Sequence, residues 1–280
     1  MKSVGVIGSG IMGSGLAEVT ARAGFDVVVR SRTQAGADAV LARIDAVLSK
    51  QVSRERISES DRDSILARIS VTDDLHKVGD CDLVIESVVE DMDIKRDLFS
   101  RLDEIVRSDA ILATNTSTLA VVELAMATKH PERVCGIHFF NPAPMMSLVE
   151  IIAPLTASDA TIGAALGFAR DCGKDAVQVQ DRAGFIVNAL LFPYLNNAIR
   201  MWEQGTASMD DIDTAMQGGC NFPMGPFALL DLVGLDTSLA ILDALYEEFR
   251  DPNFAAAPAL RRMVAAGQLG RKTKQGFRTY

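Results

Sequence analysis

The chain has 280 residues, enough for about two domains of ~100–200 residues each and a real hydrophobic core. Apolar residues make up 48% and charged residues 23%, which excludes a disordered or fibrous chain. The net charge of −9 argues against non-specific nucleic-acid binding, so attraction for an anionic ligand must come from local cations and helix ends.

No apolar run approaches the ~18–20 residues of a membrane span. Met1-Lys2-Ser3 leads straight into a strand pattern and leaves no room for a signal peptide, so a cytoplasmic protein is expected. Cys81, Cys135, Cys172 and Cys220 form no CxxC pair, and His76, His130 and His138 lack ligand spacing, so no metal is expected.

In chain order, the apolar run Val4-Gly5-Val6-Ile7 predicts a strand, followed by glycines and a helix over 12–23. Gly24 stops that helix, and Val27-Val28-Val29 reads as the next strand. Residues 35–68 then hold no buried strand. Val40, Leu41, Ile44, Val47 and Leu48 share one helix face, and a second short helix is predicted over 59–68. This hairpin reads either as a solvated pair packed on a sheet or as an arm reaching over a substrate. Further strand-like runs fall at 69–72, 83–89, 110–113, 134–140, 148–152 and 176–179, and their alternation with helices predicts a mostly parallel sheet covered on both faces.

Beyond about Asp181 the pattern turns to helix only. A long apolar helix is predicted over 185–203, kinked at Pro193. Ser208 is a candidate N-cap for a helix over 209–217, with Asp210 and Asp211 in its first turn and Gly218-Gly219 as its stop. Helices over 227–249 and 259–266 follow. The expected architecture is an α/β Rossmann-type N-terminal domain with a helical hairpin insertion (1–183), then an all-α C-terminal domain (184–280).

Gly8-Ser9-Gly10-Ile11-Met12-Gly13 fits GxGxxG between a strand and a helix, the context a dinucleotide site requires. The glycines would serve the tight turn, the backbone's approach to a pyrophosphate, and helix–strand packing. NAD-preferring sites usually carry an acid about 20 residues on, at the end of the second strand. Here that strand ends in Arg30-Ser31-Arg32-Thr33, with no acid. Ser31 can hydrogen-bond a 2′-phosphate and Arg32 can pair with it, so NADP(H) is expected over NAD(H), although NAD(H) remains possible. The alternative is that both arginines simply point into solvent.

Three polar clusters follow predicted strands. Asn115-Thr116-Ser117 stands before a helical pattern over 119–127, where hydroxyls commonly act as caps. His138 lies ahead of Phe139-Phe140 and an Asn141-Pro142 turn, and Glu150 sits in the apolar run Leu148-Val149-Glu150-Ile151-Ile152, where an unpaired carboxylate is costly. A returning strand could set Glu150 against His138 as a base held by an orienting acid, but a lone His beside two Phe is more often a core residue. Asn188, within Gly184-Phe185-Ile186-Val187-Asn188, also needs a partner.

The segments VGVIGSGIMGSGLAE, LVIESVVEDMDIKRDLF, ATNTSTL, GIHFFNPAPMMSLVEI, GFIVNALL, FPMGP, DLVGLD and GRKTKQGF carry a resemblance over essentially the whole chain. In order and content the sequence resembles the 3-hydroxyacyl-CoA dehydrogenase family, particularly its bacterial 3-hydroxybutyryl-CoA dehydrogenases. The resemblance implies interconversion of a 3-hydroxyacyl-CoA, (S)-3-hydroxybutyryl-CoA by preference, with its 3-ketoacyl-CoA. It implies His138 as general base and acid, Glu150 orienting its imidazole, and Ser117 and Asn188 holding the reacting oxygens. Glu90, Lys95, Asn115, Asn141 and Lys272 would join Gly8, Gly10, Ile11, Met12, Gly13, Ser31 and Arg32 at the cofactor. The charged hairpin would clasp coenzyme A, and the helical half would close on substrate and form a homodimer.

The sequence departs from the family pattern at Ser31, where an acid is usual, at Ala189 for Arg, at Lys274 for Gly and at Arg278 for an aromatic residue. Two rival functions are a dehydrogenase of a hydroxyacyl group on a carrier protein and a non-catalytic, crystallin-like cofactor binder. Retention of Ser117, His138, Glu150 and Asn188 argues against the second.

Overall fold

The computed structural model describes residues 1–280 and divides into two compact units, Met1–Asp181 and Arg182–Tyr280. The first unit is built on eight strands: β1 (Ser3–Ile7), β2 (Asp26–Arg30), β3 (Ile69–Thr72), β4 (Leu83–Glu86), β5 (Ile111–Thr114), β6 (Val134–Phe139), β7 (Leu148–Ala153) and β8 (Asp175–Gln180). They form one sheet in the order β3-β2-β1-β4-β5-β6-β7-β8, parallel except for the β6–β7 pair. The winding reverses between β1 and β4, so their carboxyl ends open a crevice where α/β sheets bind ligands.

Six helices belong to this unit: α1 (Ile11–Arg22), α2 (Gln34–Val52), α3 (Glu59–Ala67), α4 (Met92–Ile105), α5 (Val121–Ala125) and α6 (Asp159–Asp171). The α2–α3 hairpin packs on the sheet: Val40, Ile44, Leu48 and Ile65 share one core with Val4, Val6, Val27 and Val29. Val47, which the spacing assigned to the buried face, is instead exposed. Thr33 caps α2, and Ser58 with Asp61 forms a capping box on α3, so both helices start where hydroxyls can satisfy first-turn amides.

Sequence periodicity did not single out α4 or α6, although each opens on a capping side chain, Asp91 and Ser158. The strand expected over 83–89 ends at Glu86, where side-chain chemistry takes over from the ladder. The short helix α5 is capped neither by Thr116 nor by Ser117. Asp181 accepts hydrogen bonds from the amides of Val121 and Val122, at 2.9 and 2.7 Å, and frees the two hydroxyls for other partners.

The second unit is helical: α7 (Val187–Glu203), α8 (Met209–Cys220), α9 (Pro226–Val233), α10 (Leu235–Phe249) and α11 (Pro258–Ala265). Ser208 does cap α8, but that helix runs through Gly218-Gly219 and stops at left-handed Asn221. The helix expected over 227–249 is two helices, broken by Gly234 at φ 102°. Phe227, Phe277 and Trp202 pack edge to face in the core of this unit, with Phe192, Leu195, Leu230 and Leu242 around them. No helix of the chain is long and apolar enough to cross a membrane.

Candidate active site

The glycine loop joins β1 to α1 at the crevice. Gly8 has φ 138°, and a Cβ there would sit 2.2 Å from the carbonyl oxygen of Ser87. A Cβ on Gly13 would sit 2.1 Å from the carbonyl oxygen of Gly8, so these two positions accept only glycine. Around Gly10 the space is open, and Gly10 begins α1 with no side-chain cap over the first-turn amides. Uncapped amides beneath an open glycine are what a dinucleotide's pyrophosphate requires, so the residues present fit that group. Ile11 is exposed and Met12 half-buried above the same turn.

At the end of β2 the buried Ser31 hydroxyl donates to Ser9 Oγ at 3.0 Å, tying the second strand to the loop. Arg32 points into solvent, whereas Arg30 donates to the Asp73 carbonyl at 3.2 Å.

Antiparallel pairing of β6 with β7 places His138 directly opposite Glu150. The two side chains meet at 2.8 Å between Nδ1 and Oε2, with Glu150 fully buried and His138 only 4% exposed. An ionised carboxylate can only accept, so Nδ1 carries the proton and Nε2 is left as the acceptor of the neutral ring. Ser117 Oγ lies 3.1 Å from that Nε2 and donates to it. Phe140 stacks obliquely on the imidazole at 4.5 Å between centroids. The ring is therefore fixed in tautomer and orientation, with its basic nitrogen beside a hydroxyl.

Ser117 is held by Glu90, behind which stand Lys95 and Glu86; of these three, only Glu86 is absent from the residues expected from the sequence. Glu90 accepts from the Ser117 amide at 2.9 Å, the Thr118 amide at 3.3 Å and the Thr116 hydroxyl. Lys95 sits 3.2 Å from Glu90 and is itself buried against Glu86, 2.8 Å from each carboxylate oxygen. Glu86, at the end of β4 and with no exposed surface, also accepts from the Val88 amide at 2.6 Å and Thr114 Oγ1 at 2.7 Å. Every Glu86 lone-pair direction thus meets a donor, which is how a buried ion pair is tolerated. Burial acts to raise the Glu90 carboxyl, but the Lys95 ammonium, the Thr116 hydroxyl and the Ser117 amide outweigh it and hold that group below the usual carboxylate range. Asn115 Oδ1 accepts from the Phe139 amide at 2.9 Å, locking the end of β5 to β6. Asn141 is exposed at the following turn.

In the second unit, Asn188 is buried in the first turn of α7, and Lys272 lies on a short 3-10 turn, Arg271–Thr273, paired with Asp236. Ala189 donates its amide to the Gly184 carbonyl at 3.0 Å. Lys274 adopts the left-handed conformation, φ 58°, that explains why glycine would be the easier residue there. Arg278 bonds Asp213 at 2.9 Å and also Asp210, and Asp213 in turn caps α9 through the amides of Phe227 and Ala228.

One signal in the sequence points to more of the site. Glu86 ends an apolar run, the same warning that marked Glu150, and a buried carboxylate there calls for a cation such as Lys95 one helix later. Arg43, by contrast, reads as one more charge on a solvated helix. Folding sets its guanidinium against the Ser9 and Gly10 carbonyls of the glycine loop, a contact that arises only when α2 folds back over that loop.

Two family models together span the chain: "3-hydroxyacyl-CoA dehydrogenase, NAD binding domain" matches residues 3–182, and "3-hydroxyacyl-CoA dehydrogenase, C-terminal domain" matches residues 184–280. A 3-hydroxybutyryl-CoA dehydrogenase of Clostridioides difficile is 47% identical over 275 residues, covering 98% of both chains. Among solved structures, Mycobacterium tuberculosis FadB2 superposes with TM-score 0.96 at 48% identity, covering 99% of this chain and 98% of the other. The (S)-3-hydroxybutyryl-CoA dehydrogenase PaaH1 of Ralstonia eutropha superposes with TM-score 0.98 at 40% identity, covering 100% and 99% respectively.

Proposed function

Because the chain belongs to the 3-hydroxyacyl-CoA dehydrogenase family, we propose that it interconverts (S)-3-hydroxybutyryl-CoA and acetoacetyl-CoA with NADP(H), using His138 as acid and base. The enzyme is an oxidoreductase of 3-hydroxyacyl-CoA thioesters with a nicotinamide-cofactor domain. The finer reading rests above all on the buried His138–Glu150 pair with Ser117 at the free ring nitrogen.

When bound, the nicotinamide supplies or accepts the hydride at the substrate's C3. The chain's own residues do the rest. Gly8, Gly10 and Gly13, with Ile11 and Met12, would hold the pyrophosphate over the first turn of α1, and Glu90, Lys95 and Asn115 would serve the same cofactor site. In oxidation His138 Nε2 takes the hydroxyl proton as hydride departs, and Glu150 stabilises the imidazolium that forms. In reduction the same Nε2–H returns the proton to the alkoxide oxygen, leaving the ring neutral. Ser117 donates to the reacting oxygen, which exchanges for its present bond to Nε2 without leaving the hydroxyl unpaired. Asn188, Asn141 and Lys272 are assigned supporting roles toward substrate oxygen and cofactor.

Preference for NADP(H) is supported by the hydroxyl of Ser31 at the end of β2 and by the absence of any acid from Arg30 to Thr33. A homodimer through the helical unit is supported by large apolar side chains on its surface, among them Leu190, Met201, Phe222 and Leu232. Initial rates with NADPH and NADH over a 3-ketoacyl-CoA length series, with carrier-bound acetoacetate as control, test the assignment. The highest kcat/KM is expected for acetoacetyl-CoA with NADPH. A preference for NADH would refute the cofactor assignment, and activity confined to the carrier-bound substrate would refute the thioester assignment.

A further inference from the structure

Arg43 lies outside every group assigned above, yet its side chain reaches the glycine loop. Gly36 allows α2 to start tight against the end of β2, since a Cβ there would sit 2.5 Å from Ser31 Oγ. About two turns further along, Arg43 Nη1 donates to the Ser9 carbonyl at 3.1 Å, the Gly10 carbonyl at 3.3 Å and Ser14 Oγ at 2.7 Å. One nitrogen thus anchors the guanidinium to the loop. Its Nε–H and Nη2 donors meet no acceptor in the chain, and no carboxylate pairs with it. Ser9 is held from both sides, its carbonyl by Arg43 and its hydroxyl by buried Ser31.

We propose that Arg43, with Ser9 and Ser31, forms a phosphomonoester site beside the glycine loop that takes the 2′-phosphate of NADPH. The inference rests on the NADP(H) reading above and names the cation that reading lacks, since Arg32 projects into solvent. A 2′-phosphate brings about −1.5 to −2 charges, as protein phosphate esters do near neutral pH, into a chain whose net charge is −9, so a local cation must receive it. A guanidinium anchored through one nitrogen still offers a planar pair of donors to two phosphate oxygens. Ser31 Oγ, now donating to another hydroxyl, can turn to a phosphate oxygen at little cost, because Ser9 Oγ turns with it. No acid stands in the first turn of α2 to repel the group.

Coenzyme A also carries a ribose phosphomonoester, so the test must separate the two sources. Dissociation constants of NADPH and NADH, read by fluorescence titration of the free protein, would be compared for wild type, Arg43→Gln and Arg43→Lys, alongside initial rates with both cofactors on acetoacetyl-CoA and its 3′-dephospho analogue. The expected result is at least a tenfold weakening of NADPH binding relative to NADH in R43Q, with a matching fall in the ratio of kcat/KM for NADPH to that for NADH, both partly restored in R43K. Discrimination between the two thioesters stays at its wild-type value. An unchanged cofactor ratio would overturn the proposal and leave Arg43 as a brace of the loop. Lost discrimination between the thioesters would overturn it in favour of the coenzyme A phosphate. If the wild type favours NADH, the cofactor reading fails on its own; the fall in ratio on R43Q would still support the 2′-phosphate site, and its absence would remove both.

Discussion

Replacing Glu150 with Gln keeps the shape of a fully buried side chain and removes only its charge. In wild type the carboxylate meets His138 Nδ1 at 2.8 Å on the neighbouring strand, so it stabilises the imidazolium at close range. Taking ~4 Å between charge centres and an effective dielectric near 20, that attraction is about 4 kcal/mol. Its loss corresponds to about a thousandfold in rate. Two details move the figure either way. A Gln amide oxygen facing Nδ1 would retain a neutral hydrogen bond and soften the loss. An amide NH2 facing Nδ1 would force the proton onto Nε2 and abolish the basic nitrogen in oxidation. We therefore expect kcat to fall by about 10²–10⁴, with the NADPH dissociation constant, read by fluorescence titration, within threefold of wild type. A thermal unfolding midpoint near wild type would exclude simple misfolding. A kcat within threefold of wild type in a folded E150Q would show that the carboxylate does not act on the imidazole during turnover.

Glu90 gives a pH signature of opposite interest. Its carboxyl is held below the usual range in the folded chain, so the stabilisation is present above the ordinary carboxylate pKa and is lost as pH falls through the lowered value. Urea midpoints of wild type and Glu90→Gln should differ most at pH 7 and converge below about pH 4, and a gap that widens on acidification would reverse the assigned sign. The cysteines offer a check on packing. Burial pushes the Cys81 thiol up to about 11 and the Cys135 and Cys172 thiols up to about 12, while Cys220 is exposed. A disulfide exchange reagent at pH 8 should label Cys220 rapidly, half-buried Cys172 more slowly, and Cys81 and Cys135 only on denaturation; rapid modification of Cys135 would contradict its placement in β6.

Much of the α/β unit was legible because strand runs and glycines are local signals. Val4-Gly5-Val6-Ile7 followed by Gly8 and Gly10 announces its own geometry, and Glu150 among apolar neighbours announces its need for His138. Legibility failed where a residue's state depends on a distant segment. Gly218 and Gly219 read as a stop, yet α8 continues past them to a left-handed Asn221. Thr116 and Ser117 read as caps, but Asp181, about sixty residues away, takes that task. The Glu86–Lys95 pair was readable in principle from the cost of burying Glu86, whereas the role of Arg43 depends on how α2 crosses the glycine loop.

Whether His138 moves the proton is decided by kcat of His138→Ala on acetoacetyl-CoA at saturating NADPH, with cofactor affinity measured alongside. The variant should lose at least about a hundredfold in kcat, with cofactor binding little changed. Turnover within threefold of wild type would remove His138 from the proton transfer.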